Sequence, residues 1–154
     1  IHALGAGCTV IEIQEPTDFT IQPERWCGDV KLSDYEMYLG IDKETAFTCF
    51  DFEHKVQGKV KAQVIEQTEQ FQYESLIGKQ QTDCFRVNRI NASGTISLKE
   101  PASVYVVTDG NGVLSGQDYE RNLKKGDYFF LPYNAAGKFS LSGNPSIEVI
   151  ECCK

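Results

Sequence analysis

Side chains whose types could do chemistry stand near the amino end, among them His2, Glu12, Asp18 and Arg25, at spacings that by themselves assign them no role. Imidazole and carboxylate groups ligate zinc, and a guanidinium holds a phosphate or a developing oxyanion through its forked donors. Plain structural readings stand beside these. His2 reads equally as a terminal histidine, Glu12 as a surface carboxylate, and Arg25 as a cation stacked on the adjacent Trp26. The second histidine, His54, follows a helical stretch at a polar junction and reads as a solvated or helix-end residue. The six cysteines, Cys8, Cys27, Cys49, Cys84, Cys152 and Cys153, form no C-x-x-C pair, so they match neither a zinc ribbon nor a redox motif. They read as reduced thiols, with a disulfide framework as the alternative.

The elements that must position these groups are mostly short strands. Thr9 to Gln14 is a β-branched run after the turn Gly5 to Gly7, which predicts a strand with Glu12 and Gln14 on one face. Such an edge is apolar and adhesive, so it predicts a dimer or a covered edge. Pro16 to Gly28, with two prolines, reads as a long ordered loop. Leu32 to Leu39 reads as a helical turn. A firmer helix begins after Asp42, which is placed to cap the amides of Glu44 and Thr45, with Ala46, Phe47, Cys49 and Phe50 along one side. Val60 to Glu69 and Phe71 to Ile77 read as extended segments.

The pattern is clearest from Asp83 onward. Cys84–Asn91, Ser103–Thr108, Gly112–Ser115, Tyr119–Leu123, Tyr128–Leu131, Lys138–Leu141 and Ser146–Glu151 read as strands. Turns separate them at Asp109-Gly110-Asn111-Gly112, Lys125-Gly126-Asp127 and Ser142-Gly143-Asn144-Pro145. Short strands at this spacing predict an all-β sandwich or closed roll. The stretch Leu123 to Pro132 is one step of it: a Lys-Lys-Gly-Asp turn, then an aromatic strand stopped by proline.

Composition sets outer bounds. A length of 154 residues suffices for one domain with a real core or for two small lobes. A formal net charge of −7 argues against a nucleic-acid partner, because displacing counterions from a phosphate backbone takes clustered Lys and Arg. A small phosphorylated substrate is still allowed. Apolar runs fall well short of the roughly 20 residues that cross a bilayer, and no basic signal region opens the chain. The first residue is Ile1 rather than Met, which reads as a fragment.

Two sets of residues carry a family resemblance. Gly126 followed by Pro132 resembles the first half of the second cupin motif, although Tyr133-Asn134-Ala135-Ala136-Gly137 stands where that motif carries a metal-binding histidine. Val104 to Thr108 likewise lacks the His and Glu ligands of the first motif. Ile-His-Ala-Leu-Gly-Ala-Gly, then Glu-Ile-Gln and Asp18, is similar to type I mannose-6-phosphate isomerase, and Pro101 to Glu151 is similar to that family's terminal domain. Lys55 to Ile77 shows no match.

The resemblance implies a mainly β, cupin-like jelly roll with one short helix, in which residues 1–54 are a remnant of the catalytic cupin and 55–154 form a non-catalytic cupin-like domain. It implies His2 as a metal ligand, Glu12 and Asp18 as substrate-binding residues, and a catalytic Arg. The family's Arg position falls on Gln22, and Arg25 is the nearest arginine. It further implies an aldose–ketose isomerase, cytoplasmic, with zinc in the intact enzyme and none bound by this fragment alone. The partners implied are a phosphorylated hexose and the remainder of a parent chain or a second copy, with no nucleic acid and no membrane. Two other readings stand beside it: a non-catalytic cupin-like module that binds sugar or stabilises a partner domain, and an independent cupin-type enzyme using another site.

Overall fold

The computed structural model describes residues 4–14, 19–53 and 61–154. His2, Asp18 and His54 lie outside these residues. The chain divides into two compact units, Ile1–Gly58 and Lys59–Lys154.

In the first unit, a two-stranded ladder joins β1 (Trp26–Cys27) to β2 (Val30–Lys31), and two five-residue helices follow, α1 (Asp34–Tyr38) and α2 (Lys43–Phe47). Each helix is set by its cap. Ser33 and Glu36 satisfy each other's backbone amides in a capping box, and Asp42 accepts from the Thr45 amide at 2.9 Å. Both cap carboxylates, being hydrogen-bonded in their charged form, are held below the ordinary carboxylate range. Met37, Tyr38 and Ala46 form a small core, against which Ile21, Leu32 and Phe47 pack. The helix expected after Asp42 is present, and Ala46 is buried as expected, whereas Cys49 is exposed. The Leu32–Leu39 turn is a full second helix. The loop expected over Pro16 to Gly28 ends in β1.

Thr9 to Gln14 forms no strand. β-branched residues alone do not hold an extended ladder, which needs a partner strand to take its backbone hydrogen bonds, and none pairs with these residues among those described. The shared face of Glu12 and Gln14, and the adhesive edge argued from it, lose their basis.

The second unit is the roll. Its strands are β3 (Gln63–Gln67), β4 (Phe71–Ile77), β5 (Arg86–Ala92), β6 (Thr95–Leu98), β7 (Ser103–Gly116), β8 (Tyr119–Lys124), β9 (Tyr128–Leu131) and β10 (Phe139–Cys153). They hydrogen-bond antiparallel in the order β3-β4-β5-β10-β7-β8, with β6 added on β10 and β9 on β7. The long strands β7 and β10 hold it together, each pairing with three others.

The turns expected at 109–112 and 142–145 do not end strands. They lie inside β7 and β10, where the register slips between Gly143 and Ile147 and again between Glu148 and Val149. The glycines bend the strands where two backbones approach closely. A Cβ on Gly110, whose φ is +74°, would overlap the Ser146 carbonyl oxygen, and one on Gly143 would overlap that of Ala92. β6, which the sequence reading left out, is four residues long and pairs along the first part of β10. The turn before β9 is as expected: Gly126 has φ +90°, and the Asp127 carboxylate accepts the Lys124 amide at 2.9 Å.

The core is the inward row of these strands, including Ile90, Leu98, Tyr105, Val107, Leu141, Ile147 and Val149. At about 25 cal/mol per Å² of apolar surface, each fully buried aliphatic side chain here contributes about 1.5–3 kcal/mol. Of the aromatic run in β9, Phe129 is buried while Tyr128 and Phe130 face out, as strand alternation requires.

Candidate functional site

The polar centre of the roll is Glu151. On β10 it shares a face with Ile147 and Val149 by the two-residue period, so its carboxylate enters the core and is 2% exposed. Register places Asn88 of β5 on one side of it and Tyr105 of β7 on the other, with Phe129 of β9 beyond. Four strands thus contribute one inward row: Asn88, Glu151, Tyr105, Phe129. Tyr105 stacks on Phe129, with ring centroids 4.8 Å apart and planes 11° from parallel.

A buried carboxylate must be hydrogen-bonded or paired. Glu151 is held by three neutral donors. The Tyr105 hydroxyl donates to Oε1 at 2.6 Å, and the Tyr73 hydroxyl and Asn88 Nδ2 donate to Oε2 at 2.6 and 2.8 Å. Asn88 Nδ2 also donates to the Tyr73 oxygen at 2.8 Å, closing the network. The short O–H···O distances are those of charge-assisted bonds. Burial, reinforced by the Glu151 charge, pushes both phenols well above the ordinary tyrosine range, so they stay neutral donors. Cys153, on the same face of β10, is pushed up to about 12 by burial and then by Glu151, which makes it an inert thiol.

Two openings reach this network. A cavity of about 250 Å³ is lined by Phe71, Tyr73, Ile90, Ser97, Glu100 and Glu151, among others. A wider one of about 690 Å³ is lined by Gln63, Ser75, Arg86, Asn88, Glu100 and Tyr73. Tyr73 and Glu100 border both, and Glu100 is paired with Arg86 at 2.8 Å. The other buried acid, Glu74, neighbours Tyr73 in β4 and so points to the opposite face. There it pairs with Arg89 at 2.6 Å and accepts from Gln72 at 2.8 Å, a satisfied structural pair.

Of the residues singled out from sequence, Glu12 and Arg25 belong to the first unit. Glu12 is exposed, in irregular chain. Arg25 is exposed, and its guanidinium bonds Asp34 at 2.5 Å and the Leu32 carbonyl at 3.3 Å, so its contacts are an ion pair and a backbone acceptor rather than the Trp26 ring. His2 and Asp18 fall outside the described residues. All six cysteines are free thiols. Among the described residues, no three His, Cys, Asp or Glu side chains come together to hold a metal. Tyr73, Asn88, Tyr105 and Glu151 were missed by sequence reasoning. The available signal was the phase of the last strand, which carries Glu151 on the same face as two core aliphatics.

Residues 79–152 match the family described as mannose-6-phosphate isomerase, cupin domain. The carboxyl-terminal part of the chain is thus similar to a mannose-6-phosphate isomerase cupin domain. The chain is 28% identical over 150 residues to the mannose-6-phosphate isomerase ManA of Bacillus subtilis, covering 93% of this chain and 43% of that protein. It therefore spans less than half the length of the curated relative it matches. The crystal structure of the Bacillus subtilis mannose 6-phosphate isomerase superposes on 72% of this chain and 33% of its own, with a TM-score of 0.59 and 21% identity. The polyketide cyclase RemF of Streptomyces resistomycificus superposes on 66% of this chain and 78% of its own, with a TM-score of 0.51 and 15% identity. These likenesses carry the fold, a cupin jelly roll. In the segment that matches this family, the buried polar centre is the Glu151 network. Among the described residues no helix is long and apolar enough to cross a membrane.

Proposed function

We propose that the chain is the C-terminal part of a zinc-dependent mannose-6-phosphate isomerase, which interconverts mannose 6-phosphate and fructose 6-phosphate. The carrying observation is the match of residues 79–152 to the isomerase cupin domain, extended by the ManA likeness over 93% of the chain. In this reading, residues 1–54 belong to the catalytic cupin and 55–154 form the closing, non-catalytic one. A cytoplasmic location goes with it.

Moving a proton between C1 and C2 of a sugar passes through an enediolate, so a cation must face the two oxygens while a base shuttles the proton. Zinc binds through three or four ligands, and no such set comes together among the described residues, so in this reading the site is completed by the parent chain. His2 would supply one ligand, with the others coming from the remainder of the parent chain. Arg25 would act on the phosphate or the oxyanion, and to do so it must exchange its exposed pairing with Asp34 for substrate. Such an exchange is inexpensive, because an exposed ion pair is worth about 0–1 kcal/mol. Glu12 and Asp18 would line the sugar.

Mannose 6-phosphate isomerisation and zinc content, measured for this chain and for the parent gene product, test the proposal. The parent should be active and hold zinc, and this chain alone should be inactive. A longer parent with neither zinc nor activity refutes it.

A further inference from the structure

We propose that the 250 Å³ cavity beside Glu151 is a binding site for a neutral monosaccharide, built wholly from residues of the second unit and using none of those assigned to the isomerase reaction. The inference does not rest on the isomerase reading, because none of its residues takes part in that chemistry.

Three observations carry it. The first is an acceptor left over: a carboxylate offers about four lone-pair positions, and the described residues fill three on Glu151. Among the described residues its Oε1 receives only Tyr105, and Glu151 lines the cavity, so a hydroxyl of a ligand can complete the set. The second is the character of the wall. Phe71, Ile90, Ile96 and Leu98 give an apolar side, while the Ser97 hydroxyl and the Lys99 ammonium stand with the Glu151 carboxylate as polar groups, the Tyr73 and Thr95 hydroxyls being engaged with Glu151 and Ser142. An apolar face beside a few polar groups suits a sugar ring with one apolar face and a polar rim. The volume lies below the roughly 300–1,000 Å³ of drug-sized pockets, which limits the occupant to a single small molecule.

The third is charge. Glu66, Glu100 and Glu151 line the cavity against one ammonium, Lys99, and Arg86 is engaged with Glu100. A phosphate entering this lining meets a surplus of carboxylates close by in a partly dry space, where like charges repel strongly. The site therefore selects against phosphorylated sugars and for uncharged ones. This separates it from the substrate class proposed for the isomerase.

Titration of the 154-residue chain with D-mannose, D-fructose, D-glucose and mannose 6-phosphate, followed by amide chemical shifts, tests the proposal. At least one neutral sugar should saturate shifts at Tyr73, Ser97 and Lys99, and mannose 6-phosphate should bind more weakly. Tyr73→Phe removes one polar group and keeps the ring, and Glu151→Gln keeps the shape and removes the charge. Glu151→Gln should weaken binding about tenfold, as loss of a hydrogen bond to a charged group does, and Tyr73→Phe should weaken it as a positioning change, because the Glu151 carboxylate loses the donor that orients its Oε2. Exposed Glu120→Gln should leave binding unchanged. Should Glu151→Gln fail to fold, Tyr73→Phe alone decides. The proposal falls if no neutral sugar saturates, if mannose 6-phosphate binds tighter than the neutral sugars, or if binding survives Tyr73→Phe unchanged. None of these outcomes depends on isomerase activity.

Discussion

Tyr105→Phe provides a direct test of the buried network, because its cost should change with pH in a defined direction. The ring of Tyr105 is fully buried and stacked on Phe129, so the variant keeps the packing and deletes only the hydroxyl that donates to Glu151 Oε1 at 2.6 Å. Leaving a buried carboxylate oxygen without its donor should cost about 1.5–3 kcal/mol at pH 8, where tyrosine is neutral in both folded and unfolded chains. Above pH about 10 the unfolded chain loses the Tyr105 proton while the folded chain keeps it, because burial and the Glu151 charge raise the native phenol. The unfolded state then binds fewer protons, so the wild-type stability falls with rising pH. For this fully buried group the slope approaches about 1.4 kcal/mol per pH unit. The variant has no such group, so the wild-type advantage should shrink by about 1 kcal/mol between pH 10, where the unfolded phenol is half ionised, and pH 11. Urea unfolding followed by the sheet signal in circular dichroism reads the roll, since Trp26, the one tryptophan, lies in the other unit. A wild-type advantage that stays constant from pH 8 to pH 11 refutes the assignment of Tyr105 as a neutral donor held by Glu151.

Further outcomes follow from the packing. Leu141→Ala, at a fully buried position in β10 between β6 and β7, should destabilise the roll by about 2–5 kcal/mol in the same assay. Gly110→Ala adds a Cβ against the Ser146 carbonyl at a positive φ and should cost about 1–3 kcal/mol, whereas the same change at Gly5, with open space around it, should cost less than about 0.5. Ser33→Ala breaks the capping box of α1 and should lower the stability of the first unit by about 1 kcal/mol, read by Trp26 fluorescence, with the sheet signal unmoved. Arg25→Ala should change stability by less than about 1 kcal/mol, since its ion pair is exposed, and in the intact enzyme should abolish most isomerase activity; activity at the wild-type level removes Arg25 from the proposed site.

The roll was legible in the sequence because its cause is local. Glycine and Asp fix the turn at Gly126-Asp127, strand alternation puts Phe129 in and Phe130 out, and the cap at Asp42 starts a helix, each decided by residues within a few positions. Local signals failed where a partner decides. Thr9 to Gln14 has strand-forming side chains and no ladder, and the glycines at 110 and 143 read as chain-reversing turns although they only bend two long strands. Cys84 to Asn91 carried buried side chains on both faces, Val87 outward and Asn88 with Ile90 inward, which blurs any alternation read from hydrophobicity alone.

The sequence by itself determined the class of the fold and the turn at Gly126-Asp127, because composition and short-range periodicity are properties of the chain. Only the tertiary structure decided where the polar centre lies. Tyr73, Asn88, Tyr105 and Glu151 span 78 positions between the first and the last, and what joins them is the register of β5, β10 and β7, with Tyr73 reaching in from β4. Register is set by long-range pairing of whole strands, which no window of neighbouring residues contains.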